Sequence, residues 1–96
     1  MLPEDIDYSG LPAHMQRAAR AWVENGQTPG DFLQAVIRGD LFDAVARADE
    51  DNLAALQTWC RWFYNEAPPG CWGSAEKVQA WKARGGLLRQ ESADRT

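Results

Sequence analysis

The chain has 96 residues, of which 45% are hydrophobic and 25% are charged, and its formal net charge is −4. A chain of this length buries about 60 to 65% of its unfolded surface, which is enough for one hydrophobic core but leaves no room for a large catalytic cavity. The composition excludes a disordered protein, a collagen-like fibre and a membrane-spanning protein. We therefore expect one small globular domain without a membrane segment.

The distribution of charge and the start of the chain narrow the expected partners and location. Residues 1–59 contain four arginines and ten acidic residues, whereas residues 60–96 contain six basic and four acidic residues. Nucleic-acid-binding proteins usually present a basic face that displaces counterions from phosphates, so the overall acidity argues against a nucleic-acid partner. The chain opens without a basic segment followed by an apolar one. We therefore expect no secretory signal and a cytoplasmic protein.

Cysteine and histidine are too sparse to predict a metal site or an enzyme. Cys60, Cys71 and His14 are far apart and cannot complete a tetrahedral zinc site without carboxylates. Cys60 falls on an apolar helix face and Cys71 in a loop, and a disulfide between them would be unusual in a reducing compartment. The nucleophile-elbow, Walker A, HExxH and EF-hand motifs are absent, and His14 has no evident partner as a general base. We expect no metal, no cofactor, no catalytic residue and no enzymatic activity.

Glycine, proline and capping residues divide the chain into five predicted helices. The first covers residues 12–25 and ends at Gly26, which provides a left-handed C-cap. The second follows Thr28–Pro29 and ends before Gly39. The third follows the capping residue Asp40, and its apolar spacing repeats that of the second helix, which predicts a helical hairpin. The apolar residues of the third helix are Leu41, Phe42, Val45 and Ala46.

The fourth predicted helix, residues 51–67, carries the strongest periodic signal and is expected to be the central packing element. Its apolar residues step by three and four positions along one face. These residues are Leu53, Leu56, Cys60, Phe63 and Ala67. Pro68 and Pro69 end this helix, and the fifth predicted helix runs from the cap Ser74 to Gly85.

The predicted fold is therefore all-α, a compact single-domain bundle of about five helices formed by residues 11–88. An acidic lead, residues 1–10, precedes this domain. A polar tail, residues 89–96, follows it and is predicted to be disordered.

The five tryptophans are the most informative residues. Trp22 and Trp81 lie on apolar stripes and are predicted to be core. Trp59 lies at the shoulder of the fourth helix's apolar face, so either burial or exposure is open. Trp62 falls near the polar side beside Arg61, and an exposed tryptophan next to an arginine is typical of a protein interface. The alternative is that the fifth helix or the tail covers Trp62.

Trp72 lies in a loop bounded by proline and glycine, where its ring either packs back onto the core or contacts a partner. The predicted partner-binding residues are Trp59, Arg61, Trp62 and Trp72. A second hypothesis is a nucleotide-sequestering protein in which Trp72 stacks on a base while basic side chains contact phosphates. The nucleotide-binding residues would be Trp72, Lys77, Lys82 and Arg84. A third hypothesis is a homo-oligomer whose exposed tryptophans contact each other.

Several short motifs in a fixed order resemble a known family. They are Leu-Pro-Ala-His-Met at residues 11–15, Pro-Gly-Asp-Phe-Leu-Gln-Ala-Val at residues 29–36, Tyr-Asn-Glu-Ala-Pro at residues 64–68 and Cys-Trp-Gly-Ser at residues 71–74. Over residues 11–87 this pattern resembles a family of small accessory proteins of tailed phages and prophages of Gram-negative bacteria. The resemblance implies a protein that acts in the host cytoplasm by binding a host protein. Inhibition or redirection of a host factor, including a defence system such as a CRISPR complex, is the expected function.

Overall fold

Six α-helices account for most of the chain between Gln16 and Arg84 in the computed structural model, which describes residues 2–88. Their bounds are α1 Gln16–Asn25, α2 Asp31–Arg38, α3 Leu41–Arg47, α4 Glu50–Ala54, α5 Leu56–Asn65 and α6 Ala75–Arg84. Short 3-10 turns lie at Pro3–Asp5, Ala13–Met15 and Pro69–Cys71. Residues 2–88 contain no β-strand, so the predicted all-α class is confirmed. The predicted disordered tail, residues 89–96, lies outside the described residues.

The predicted C-terminal ends of the first, second and fifth helices agree with the structure, whereas the α-helical part of the first begins at Gln16 and not at residue 12. Gly26, Gly39 and Gly85 are left-handed C-caps of α1, α2 and α6. The most constrained glycine contact joins Gly26 to Gly86, where a Cβ on Gly86 would lie 2.5 Å from the backbone nitrogen of Gly26. Only residues without a side chain allow the ends of α1 and α6 to approach so closely. None of the helices within residues 2–88 has the length and apolar content that a membrane span needs.

The fourth predicted helix is two helices, α4 and α5, because the helical path breaks at Ala55. The apolar face predicted for it is also wrong in its first half, since Leu53 and Cys60 are exposed and Leu56 is half-buried. The large rings take that place instead, because burying an aromatic side chain removes more apolar surface from water than burying leucine or cysteine. The core-facing residues of α5 are Trp59, Trp62 and Phe63.

The acidic lead is part of the core. Ile6, Tyr8 and Leu11 are buried in the same cluster as the helices. The Tyr8 ring lies 5.4 Å from the Trp62 ring between centroids. Its hydroxyl donates a hydrogen bond to Oε2 of the buried Glu24 at 2.9 Å. Burial and this hydrogen bond raise the pKa of Tyr8, so the phenol stays protonated.

The predicted burial of Trp22 and Trp81 is confirmed. The indole N–H of Trp22 donates a hydrogen bond to the carbonyl oxygen of Cys71 at 3.0 Å, and that of Trp81 donates to the carbonyl oxygen of Trp22 at 3.1 Å. Trp59 is also fully buried, and its N–H donates to Oδ1 of Asn52 at 3.2 Å. These bonds satisfy buried donors that would otherwise cost about 1–3 kcal/mol each.

Candidate protein-binding site

Helix α3 leaves most of its large apolar side chains in solvent. Phe42 is 87% exposed, Leu41 is 57% exposed and Val45 is 44% exposed, whereas Ala44 is buried. At about 100° per residue, Leu41, Val45 and Phe42 span an arc of about 100° on one side of α3. The predicted pairing of α2 with α3 is confirmed by their contact. Helix α2 buries Phe32, Leu33 and Ile37, whereas α3 leaves its large apolar side chains exposed.

Ion pairs join α2 to the side of α3 that lies away from this arc. Nη2 of Arg38 lies 3.1 Å from Oδ2 of Asp43, and Nε of Arg47 lies 2.9 Å from Oδ1 of Asp43. Nη1 of Arg47 also lies 3.1 Å from Oδ2 of Asp31. Asp43 lies about 160° around the helix from Val45. The small Ala44 packs inward, the charged side faces α2, and the large apolar residues are left outside.

An apolar cleft of about 140 Å³ separates α3 from α5. Its lining residues are Val36, Gly39, Asp40, Leu41, Ala44, Leu56 and Cys60. Leu56 and Cys60 are one helical turn apart on α5, so they form a wall opposite Leu41. Leu41 both lines the cleft and belongs to the exposed arc of α3, so the cleft and the arc meet at Leu41. We call Leu41, Phe42, Val45, Leu56 and Cys60 the α3–α5 surface.

The two cysteines differ in how far solvent reaches their thiol groups. Both are free thiols, with Cys60 exposed on the cleft wall and Cys71 buried. Burial raises the pKa of the Cys71 thiol to about 12, because the charged thiolate is poorly solvated in an apolar interior. Cys60 is therefore the thiol that a reagent or a partner meets first.

The surroundings of the cleft are acidic. Residues 31–54 contain six acidic residues and two arginines, and both arginines are held by acidic side chains. Asp40 lies on the cleft itself. Asp49, Glu50 and Asp51 lie at the start of α4, the element that connects α3 to α5. Negative charge therefore flanks the apolar surface on the side of α3 and α4, whereas the exposed Arg61 follows Cys60 on α5.

His14 has a partner that its sequence surroundings did not reveal. Its Nε2 lies 3.1 Å from Oδ2 of Asp49, with both side chains about half exposed. Asp49 also caps α4, since its carboxylate accepts a hydrogen bond from the backbone N–H of Asn52 at 2.7 Å, and this bond lowers the pKa of Asp49. Neither His14 nor Asp49 lines the cleft between α3 and α5. The pair is a surface contact that joins the Ala13–Met15 turn to α4.

The four residues predicted to bind a partner do not form one surface. Trp59 is fully buried, and Trp62 is only 5% exposed, so the predicted exposure of Trp62 is wrong. The N-terminal segment covers it through the ring of Tyr8. Arg61 is exposed and shares with the edge of Trp62 a shallow cleft of about 240 Å³. The other residues of this second cleft are Thr58, Asn65 and Glu66.

Trp72 is half-buried and lies against Tyr64, with 6.1 Å between ring centroids. Its indole Nε1 is buried without a hydrogen-bond partner within residues 2–88. The Trp72 ring therefore packs back toward the core. This was one of the two alternatives that the sequence left open for this loop.

The basic residues proposed for nucleotide binding are exposed but divided around α6. Lys77 and Arg84 lie within about 20° of each other, whereas Lys82 lies about 140° from Lys77. The Arg84 guanidinium lies over the ring of Trp81, 5.7 Å from its centroid. This arrangement does not gather the three cations and Trp72 at one place. In the described part of the chain, no group of three Cys, His, Asp or Glu residues is placed to hold a metal ion.

Comparisons with known proteins add no relative. No family model, curated protein or solved structure gives a significant match to the chain. The resemblance to phage accessory proteins thus stays a prediction, and the candidate site is argued from the geometry of the α3–α5 surface.

This surface was not predicted from the sequence, because the apolar spacing of α3 indicated only that α3 pairs with α2. The short length of α3 could have indicated that part of its apolar surface stays exposed. Asp40 and Ala48 confine α3 to seven residues, and two turns can present only one narrow side to a neighbouring helix. Adjacent Leu41 and Phe42 lie about 100° apart, so both cannot face α2 at the same depth.

Proposed function

We propose that this protein is a non-enzymatic binding protein that inhibits or redirects a host factor, and that the α3–α5 surface contacts that factor. The observation that carries the proposal is the exposure of Phe42, next to the exposed Leu41 and Val45. Small soluble proteins rarely keep contiguous large apolar groups in water unless another molecule covers them. A protein partner would cover them.

The energetics favour binding at this surface. Burying one large apolar side chain contributes about 1.5–3 kcal/mol, and an aromatic anchor beside aliphatic residues is typical of an interface hot spot. The ion pairs of Arg38 with Asp43 and of Asp31 with Arg47 join α2 to α3 before a partner arrives. Such preorganisation lowers the entropy that is lost on binding.

The biological setting in this proposal is supported by the motif pattern of residues 11–87. That pattern resembles accessory proteins of tailed phages and prophages, which implies action in the cytoplasm of an infected Gram-negative cell. The host factor is then a bacterial protein, with components of defence systems among the candidates. The apolar surface on α3 gives such a protein a defined place to bind.

The experiment is comparative affinity purification from a Gram-negative host, with the captured proteins identified by mass spectrometry. The tagged wild type is compared with Phe42→Ser and with the matched control Tyr64→Ser, which removes another exposed aromatic ring, 77% exposed on α5. We expect a host protein that the wild type and Tyr64→Ser capture and that Phe42→Ser does not. Equal capture by all three proteins would contradict the assignment of the surface.

A further inference from the structure

We infer that the partner segment which occupies the cleft between α3 and α5 is an amphipathic helix with basic residues beside its apolar face. This inference rests on the proposed function, and it names the chemistry of the partner. The size of the cleft, the apolar residues around it and the charge beside it support this partner.

The cleft has the size and lining for one inserted apolar side chain. A cavity of about 150 Å³ lined by apolar residues holds a benzene-sized group, and the cleft measures about 140 Å³. Leu41 stands on one side and Leu56 with Cys60 on the other, above a floor that includes Ala44. An aliphatic or aromatic side chain that enters from solvent would therefore contact apolar walls on both sides.

The exposed ring of Phe42 and the side chain of Val45 provide a second contact beside the cleft. They lie on the same helix as Leu41 and follow it around the exposed arc. A helix supplies apolar side chains at i, i+3, i+4 and i+7, so one side chain can fill the cleft while the next covers Phe42. An amphipathic helix matches this arrangement of one deep and one flat contact.

Charge selects a basic helix over an acidic one. Residues 31–54 carry a net charge of −4, with Asp40 on the cleft and Glu50 and Asp51 exposed at the start of α4. Lysine or arginine beside the apolar face of the partner would meet this negative potential, which favours association and excludes acidic partners. This net charge already counts Arg38, which lies 3.1 Å from Asp43 and 3.9 Å from Asp40, and Arg47, which pairs with Asp43 and Asp31.

The same charges argue against a second copy of this chain as the occupant. A twofold dimer through the α3–α5 surface places the same patch on both sides of the interface. Both sides of the interface would then carry the same excess of acidic side chains, and like charges at an interface are unfavourable.

Cys60 provides a direct reporter of occupancy because it is exposed on the cleft wall, while Cys71 is buried. The probe is a synthetic helix of about 18 residues, long enough to be helical, with leucine at helical spacing and lysine elsewhere. Iodoacetamide, which is uncharged, alkylates Cys60, and intact mass gives the rate. We expect the lysine peptide to slow alkylation about tenfold when its concentration is ten times its Kd, since about a tenth of the protein is then unoccupied.

Two control peptides test the two parts of the inference. One replaces every lysine with glutamate, and the other keeps the composition but scrambles the leucine spacing. Neither should slow alkylation. If the glutamate peptide protects Cys60 as well as the lysine peptide does, the inference that the partner is basic is wrong. If the scrambled peptide protects Cys60 equally well, the inference that the partner segment is an amphipathic helix is wrong.

Two protein variants test whether the lysine peptide protects Cys60 by binding in the cleft. Leu41→Ser changes an exposed cleft residue and should weaken protection by the lysine peptide, whereas Leu53→Ser changes an exposed leucine that does not line the cleft and should not. Binding of the peptide without protection of Cys60 would overturn the site. Sedimentation velocity showing a dimer that Leu41→Ser abolishes would assign the surface to a second copy instead.

The outcome separates this inference from the proposed function. If host-protein capture depends on Phe42 while the lysine peptide leaves Cys60 alkylation unchanged, the binding function stands and the basic helix is wrong. If capture is independent of Phe42 while the peptide protects Cys60, the cleft accepts a basic helix and the proposed host-binding role of Phe42 is wrong.

Discussion

The indole N–H of Trp62 donates a hydrogen bond to the backbone carbonyl oxygen of Asp7, with 2.7 Å between Nε1 and O. This bond joins α5 to the N-terminal segment across 55 positions of the sequence. It also explains why a tryptophan on a seemingly polar helix side is buried. The N-terminal segment supplies the apolar cover through Tyr8 and the acceptor through Asp7, so Trp62 belongs to the core.

Replacing Trp62 tests this burial against the exposure that its position in the sequence suggests. Trp62→Ala removes a buried ring and should lower the free energy of unfolding by about 3–5 kcal/mol. Phe42→Ala removes a ring that is almost fully in solvent and should change it by no more than about 0.5 kcal/mol. Urea denaturation followed by circular dichroism measures both values. Similar small effects for the two variants would mean that Trp62 is exposed.

The close approach of α1 and α6 predicts an unequal response of two glycines to the same substitution. Gly86 has a φ of +81°, and a Cβ there would meet the backbone of Gly26 and its neighbours at 2.5 to 2.6 Å. Left-handed strain and overpacking together should cost about 2–5 kcal/mol in Gly86→Ala. Gly10 has nothing within 4 Å of its Cβ position, so Gly10→Ala is the matched control and should leave the thermal midpoint nearly unchanged. A Gly86→Ala protein as stable as Gly10→Ala would contradict the packing of these two helix ends.

Because its Cys71 thiol is buried, the protein should lose stability at alkaline pH. Its thiol has a pKa raised by burial from 9.0 to about 12, so the unfolded chain releases this proton at a lower pH than the folded chain does. The contribution of this group to stability is fully present below pH 9 and is lost as the pH rises from about 9 toward 12, at up to about 1.4 kcal/mol per pH unit.

The measurement is the free energy of unfolding from pH 8 to 10.5 for the wild type and for Cys71→Ala. The substitution lowers stability at every pH because it leaves a cavity, but it should also remove the extra alkaline slope. The same slope in both proteins would show that the Cys71 thiol is not buried. The parallel variant Cys60→Ala, which changes the exposed thiol, should retain the slope of the wild type.

Local signals predicted the all-α class and several helix ends, but not the break between α4 and α5 at Ala55. The left-handed glycines after α1, α2 and α6 have positive φ values in the structure. Ser74 caps α6 by accepting a hydrogen bond from the backbone N–H of Lys77. These features depend on a few neighbouring residues, so a single sequence is enough to recognise them.

Contacts between residues far apart in the sequence explain why the burial of Trp62 and the rotation of α5 were not predicted. The indole N–H of Trp62 bonds to the carbonyl oxygen of Asp7, and that of Trp22 bonds to the carbonyl oxygen of Cys71. No spacing of neighbouring residues in the sequence predicts either hydrogen bond. The rotation of α5 was missed because leucine and cysteine were counted equally with tryptophan, although the larger rings gain more from burial. The candidate site was missed for a related reason, since a helical wheel shows an apolar arc but not whether a neighbour covers it.

The central claim is that Phe42 and its neighbours on α3 form the binding surface. Isothermal titration calorimetry with the host protein captured by the wild type tests it most directly. An aromatic anchor typically contributes 2 kcal/mol or more, so we expect Phe42→Ser to weaken the Kd by about 30-fold or more and Tyr64→Ser to leave it within about threefold. Unchanged affinity in Phe42→Ser, with the fold intact by circular dichroism, would contradict the claim.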